Sequence, residues 1–225
     1  MATTLELITW LREMLDDEVN PYLWSNSYLL RALNQAEIQA CRRAYAIIDK
    51  DTASVCCITL SASVATFALH SKILTVRRVQ IGSADYPLTQ ITKVQLDEQY
   101  PGWWSVYGVP EHYLIDTTDN TITVYPYPQS VDVASMVVAR LPLKSMTLAG
   151  SSVPEVPDMY HQELLIWGRR EAYLKPDSDT FDPERARAAE EEFTAKFGPL
   201  PSARDERLRK SRPLEMRVRP REFGT

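Results

Sequence analysis

Residues 153–176, VPEVPDMYHQELLIWGRREAYLKP, decide the fold. Asp158 is placed to cap a helix running to about Leu174, and Pro176 stops it. Leu164, Leu165, Trp167, Ala172 and Tyr173 supply its apolar positions, a stripe that needs partner helices. One lies just downstream. Asp182-Pro183-Glu184 combines a capping Asp, a proline at the first helical position and an acid in the first turn. That helix ends before Gly198-Pro199 and carries Ala186, Ala189, Phe193 and Phe197 on one stripe.

The other partners lie at the far end of the chain. Thr3 and Glu6 form a capping-box pattern ahead of Leu5, Ile8, Leu11 and Leu15, which recur at helical spacing. Asn20-Pro21 interrupts this helix. A second is predicted from about Ser27 to Ala46, capped by Ser25, with Leu29, Leu30, Leu33, Ala36, Ala40 and Ala44 as its stripe. Asn34, Gln35, Gln39, Arg42 and Arg43 occupy much of the remaining surface.

Between the two helical ends the texture is different. After Asp51 come short β-branched runs: 55–60, 65–69, 73–81, 112–116, 121–125 and 131–141. Thr117 to Asn120 reads as a hairpin turn, and Val94 to Tyr100 as a short helix before the Pro101-Gly102-Trp103-Trp104 bend. The predicted fold is therefore α+β. Residues 1–50 and 146–200 form an α-helical bundle, 51–145 an inserted antiparallel β-module, and 201–225 an extended basic C-terminal arm.

Composition narrows the function. The chain has 225 residues, 44% hydrophobic and 24% charged, values that exclude wholesale disorder. Its seven glycines fall singly, so no phosphate-cradling loop is present. Three scattered histidines and three scattered cysteines (Cys41, Cys56, Cys57) argue against a Cys/His metal cage. The cysteines read as reduced packing residues. No run of about 18 apolar residues marks a membrane span, and the N-terminus lacks the pattern of a signal peptide. No cofactor is expected.

Charge is uneven along the chain. Net charge is −5, yet residues 201–225 hold eight basic side chains against four acidic ones, a local +4 that leaves −9 for the rest. Such a segment becomes ordered by docking on something else. Arg204, Arg207, Arg209, Arg212, Arg217, Arg219 and Arg221 would fork onto carboxylates of a protein partner, while Leu214, Met216 and Val218 enter pockets like an added strand. Nucleic acid is the competing acceptor, which would make the chain a DNA-binding regulator. An undocked terminus is the plain alternative.

Three other constellations invite chemistry. Asp158 and His161 at i, i+3 could orient a base for a small hydrolase, or simply cap and decorate a helix. Asp177, Asp179 and Asp182 alternate like oxygen ligands, but without the glycine and distal glutamate of a calcium loop. Trp103 and Trp104 beside Tyr100 and Tyr107 offer stacking faces, or a packing or interface plug. Arg42-Arg43 and Arg169-Arg170-Glu171 read as solvated or inter-subunit charge pairs rather than as a DNA groove.

The blocks Pro21-Tyr-Leu-Trp24-Ser25, Leu29-Leu30-Arg31-x-Leu33-Asn34-x-Ala36 and Ala40-Cys-Arg-Arg43 resemble the N-terminal helices of head-to-tail adaptor (connector) proteins of tailed bacteriophages. Val153-Pro-Glu-x-x-Asp158-x-Tyr160-His161-x-x-Leu164-x-x-Trp167, continuing through Arg170-x-Ala172-Tyr173-Leu174 to Pro176-Asp177-x-Asp179-Thr180, looks like their C-terminal half. The β-runs and the Leu141-Pro142-Leu143 exit fit members with a β-insertion. The resemblance implies a non-enzymatic virion protein of the neck, made in the host cytoplasm. It implies a ring, typically of twelve copies, beneath the portal protein, extending the DNA channel and offering a platform to a tail or nozzle protein. It also implies that residues 201–225 embed in the portal and that Arg42, Arg43, Trp167, Arg169 and Arg170 lie at the subunit interface.

Overall fold

The computed structural model describes residues 1–82, 86–116, 120–176 and 180–211. Its helices are α1 (Thr4–Met14), α2 (Asn26–Ala44), α3 (Ala53–Cys56), α4 (Lys93–Gln99), α5 (His161–Tyr173), α6 (Pro183–Phe197) and α7 (Ala203–Ser211). Its strands are β1 (Ile48–Asp49), β2 (Cys57–Leu60), β3 (Thr66–Ala68), β4 (Ile73–Ile81), β5 (Thr89–Gln90), β6 (Tyr107–Gly108), β7 (His112–Asp116), β8 (Thr121–Tyr125), β9 (Tyr127–Pro128) and β10 (Asp132–Arg140). The protein is mixed α+β and divides into two compact units. One comprises Met1–Ile48 and Ala139–Ser202, the other Asp49–Val138 and α7.

In the helical unit, α5 packs against α1, α2 and α6. Leu7, Leu11, Leu29, Leu33, Leu164 and Phe193 are fully buried there. The approach of α1 to α5 depends on Gly168: a Cβ at that position would lie 2.8 Å from Leu11 Cδ2 and 3.6 Å from Leu33 Cδ2. The local start signals operate as read. Thr3 and Glu6 form a complete capping box, Ser25 accepts from the Tyr28 N–H, and Asp182 accepts from Glu184 and Arg185 ahead of Pro183.

Two long-range locks follow. The last carbonyls of α5 receive hydrogen bonds from the start of α2, Trp24 Nε1 donating to Ala172 (3.0 Å) and Tyr28 Oη to Glu171 (2.7 Å). The α1–α2 connection closes on a buried ion pair, Arg12 with Asp17. Arg12 also donates to the Trp24 carbonyl (2.7 Å), and Asp17 accepts from the Leu23 N–H (2.8 Å), so both charges are satisfied where water is excluded.

In the second unit β7 and β8 pair antiparallel, Leu114 opposite Thr123, and β3 adds to β8. The residues of the expected turn between β7 and β8, 117–119, lie outside the described ones. Strand β10 pairs β2 antiparallel and also borders β4. A separate apolar cluster of Ile91, Leu96 and Tyr125 is covered by Tyr100, Trp103 and Leu114.

The structure corrects several expectations. The module is not purely antiparallel, because β5 pairs β7 and β6 pairs β9 in parallel. Val55 and Cys56 are helical rather than extended: the Asp49 carboxylate accepts from the N–H groups of Asp51 and Thr52, and the resulting turn runs straight into α3. Asp158 caps nothing; it begins a 3-10 turn (Asp158–Tyr160) ahead of α5, whose N-cap Tyr160 makes no side-chain cap. Ala44 is exposed, while Glu37 and Arg43 of the same helix are buried. Finally, residues 203–211 are not an extended arm. They form α7, which packs on β4 and β7. Its Ala, Arg, Glu, Leu and Lys are good helix formers. Asp205 and Glu206 in the first turn and Arg209 and Lys210 in the last complement the helix dipole.

Candidate functional site

Three of the five residues assigned to a subunit interface meet in one cluster. The Trp167 ring is buried, with the Arg43 guanidinium 5.1 Å and the Arg170 guanidinium 4.4 Å from its centroid. Phe193 packs at 5.1 Å from the same ring. Arg43 donates to Thr194 Oγ1 (2.9 Å) and the Gly198 carbonyl (3.4 Å), and lies 3.6 Å from Glu190. Arg170 donates to Glu190 (2.8 Å) and Glu171 (2.5 Å), and Arg169 pairs with Glu192. Arg43 is therefore an internal clamp between α2 and α6 rather than a solvated charge. Burial pulls its pKa below the ordinary arginine value despite Glu190. Arg42 is half-buried, and Arg169 and Arg170 keep partial exposure.

A second polar cluster, unread in the sequence, straps the segment leaving β10 to α2. Glu37 Oε1 accepts from the N–H groups of Glu155 (2.6 Å) and Val156 (3.1 Å). Asn34 donates to the Met146 carbonyl and accepts from its N–H. Arg140 pairs with Glu155 at 2.5 Å. Burial pushes the Glu37 carboxyl up to about 7, against the lowering effect of the two N–H donors. Burial alone would raise Glu155 too, but Arg140 and the N–H groups of Lys144 and Leu143 hold it below the usual range. The i, i+3 relation of Asn34 and Glu37 was visible; their distant partners were not.

The chemical candidates fare differently. Asp158 and His161 do come together, with His161 Nδ1 3.4 Å from Asp158 Oδ1. His161 is buried, however, rather than on the helix surface. Its Nε2, the atom a general base would offer to a substrate, donates to the Val156 carbonyl (3.0 Å). Asp182 serves as the cap of α6, and Asp177 and Asp179 lie outside the described residues. Among the described residues, no group of three or more His, Cys, Asp or Glu side chains could hold a metal. Burial raises the Cys41 thiol to about 12 and the Cys56 thiol to about 11, far from a reactive thiolate.

The aromatic residues divide between packing and display. Tyr100 and His112 lie against Tyr125, and Trp103 donates to Asp97 (2.7 Å). Trp104 is 64% exposed, with its ring edge-on to Trp103.

Of the residues assigned to the arm, Arg204, Arg207 and Arg209 are exposed on α7. Arg212, Leu214, Met216, Arg217, Val218, Arg219 and Arg221 lie outside the described residues. Among the described residues, no helix is long and apolar enough to cross a membrane.

The chain is thus a helical unit locked by internal ion pairs that carries a β-rich unit in one of its connections. Its best-placed base is already engaged by its own backbone. The family model described as SU10 adaptor protein matches residues 2–217, and the chain belongs to that family: it is a bacteriophage adaptor protein, a structural component of the virion. None of the curated proteins matches it.

Proposed function

We propose that this adaptor forms a ring, of about twelve copies by the resemblance, beneath the portal protein. There it extends the DNA channel and offers its far face to a tail or nozzle protein. Family membership over residues 2–217 carries the reading, and the separation of charge along the chain supports it. An acidic body repels phosphate, so duplex DNA slides past it, while the basic C-terminus seeks carboxylates. Ring closure requires a heterologous interface. The half-exposed side of the Trp167 cluster, with Arg42, Arg169 and Arg170 backed by buried Arg43, is the surface we assign to it.

In this reading residues 212–225 dock on the portal, with Arg212, Arg217, Arg219 and Arg221 pairing to carboxylates and Leu214, Met216 and Val218 entering pockets. The test is truncation after Ser211. The shortened chain should melt at the same temperature as the full chain yet fail to bind a purified portal ring. Undiminished binding would refute the docking role. Retention on duplex DNA with a steep salt dependence, and none on the portal, would favour the regulator reading instead.

A further inference from the structure

Helix α7 sits on the β-rich unit in an unusual way. None of its residues is buried, and Leu208 is its one large apolar side chain. Besides its packing on β4 and β7, it is held through Lys210, whose Nζ donates to the Ile73 carbonyl (3.3 Å) and to Asn120 Oδ1. Both partners are neutral oxygens. An ammonium drawn partly out of water without a carboxylate gives back in hydrogen bonds only part of what it loses in hydration. The burial that creates this situation also pulls the Lys210 pKa below the ordinary lysine value. Meanwhile Arg204, Arg207 and Arg209 face solvent. The link to α6 turns at Gly198, in the left-handed region at φ 83°, and continues Pro199-Leu200-Pro201-Ser202. Neither proline has an N–H with which to continue α6, so α7 is joined to it by a non-helical connector.

We propose that α7 is the stored first half of the docking arm, held on its own β4 in the free subunit and released when its arginine face meets an acidic protein surface. The proposal rests on the docking reading above and adds a regulatory step to it. Storage hides the arm's anchor until a partner supplies carboxylates in place of the neutral oxygens that receive Lys210. Affinity for the partner is then reduced by the fraction of subunits holding α7 in place. Weakening the storage contact from the β side should tighten partner binding.

Asn120→Gly makes that change without touching the arm. Glycine accepts the φ of 52° found at Asn120 and removes the oxygen that receives Lys210. Hydrogen exchange of residues 203–211 is measured in the free full-length chain, in the Asn120→Gly chain and in each bound to a purified portal ring, alongside portal affinity. Leu208→Ala serves as a second loosening variant for the exchange measurement. The proposal predicts faster exchange of 203–211 in both free variants, and a portal affinity for Asn120→Gly raised roughly three- to tenfold. It also predicts that Lys210→Ala speeds exchange of residues 203–211 in the free chain. Equal portal affinity of Asn120→Gly and the unmodified chain, even though α7 exchanges faster in the free variant, would overturn storage. Truncation after Ser211 would still abolish binding in that case, so the docking reading would survive. If the truncated chain binds as well as the full one, docking falls and storage falls with it. A gain in duplex-DNA affinity instead of portal affinity in Asn120→Gly would overturn the protein-partner assignment.

Discussion

Glu37 shows how one buried side chain sets a pH response. Its carboxyl sits at about 7 in the folded chain, against an ordinary value of 4.5. Below about pH 4.5 it is protonated folded and unfolded alike. Between 4.5 and 7 the folded state holds the extra proton, so stability falls as pH rises and levels off above 7, by about 3 kcal/mol for this group alone. Glu37→Gln keeps an oxygen for the Glu155 and Val156 N–H groups and cannot ionise. Its denaturation midpoint should be flatter from pH 5 to 8 and higher than the parent's at pH 8; an unchanged slope would show that Glu37 does not carry it. Glu155 works in the opposite direction, losing its stabilising charge as pH falls below the usual carboxylate range. The Arg12–Asp17 pair makes a second residue-scale prediction. Asp17→Ala strands a buried guanidinium and should cost about 3 to 5 kcal/mol by urea denaturation, far more than loss of an exposed ion pair.

At the scale of elements, what was legible in the sequence was local. The Thr3–Glu6 box, the Ser25 cap and the Asp182-Pro183 start each act within one helical turn, so the residues that make them are neighbours in the chain. The illegible features draw their partners from far away. Glu37 and Arg43 sit on α2 among residues that read as surface. They become internal only because the Glu155–Val156 segment and Thr194 arrive from more than a hundred positions downstream. Asp158 looked like a cap but spends its geometry on a 3-10 turn. Helix α7 was masked by composition: charge and proline density pointed to an extended arm, whereas seven good helix formers among nine residues were enough for a short helix once β4 offered a surface. Gly168 carries an element-scale prediction. Its missing Cβ is the space that Leu11 fills, so Gly168→Val should destabilise the helical unit by about 2 to 3 kcal/mol and lower the cooperativity of thermal unfolding. A neutral melting curve would mean that α1 can back away from α5 without loss.

At the scale of the whole molecule, the account rests on division of labour. The helical unit pairs its charges internally, the β-rich unit displays aromatic and apolar side chains such as Trp104, and in the proposed reading the basic C-terminus docks on a partner. In the proposed structural role, the buried His161 serves packing rather than chemistry. Accordingly, His161→Asn should leave assembly on the portal intact, apart from a modest loss of stability from the lost Val156 contact, as size-exclusion analysis of mixtures would show. The central claim is that the C-terminal residues hold the adaptor to the portal. The most direct measurement is a cryo-electron microscopy reconstruction of the portal–adaptor complex in which residues 212–225 are traced. The account predicts one such segment per adaptor subunit lying against acidic portal surface, with α7 lifted from β4. Segments folded back on their own subunits and touching no portal chain would contradict it.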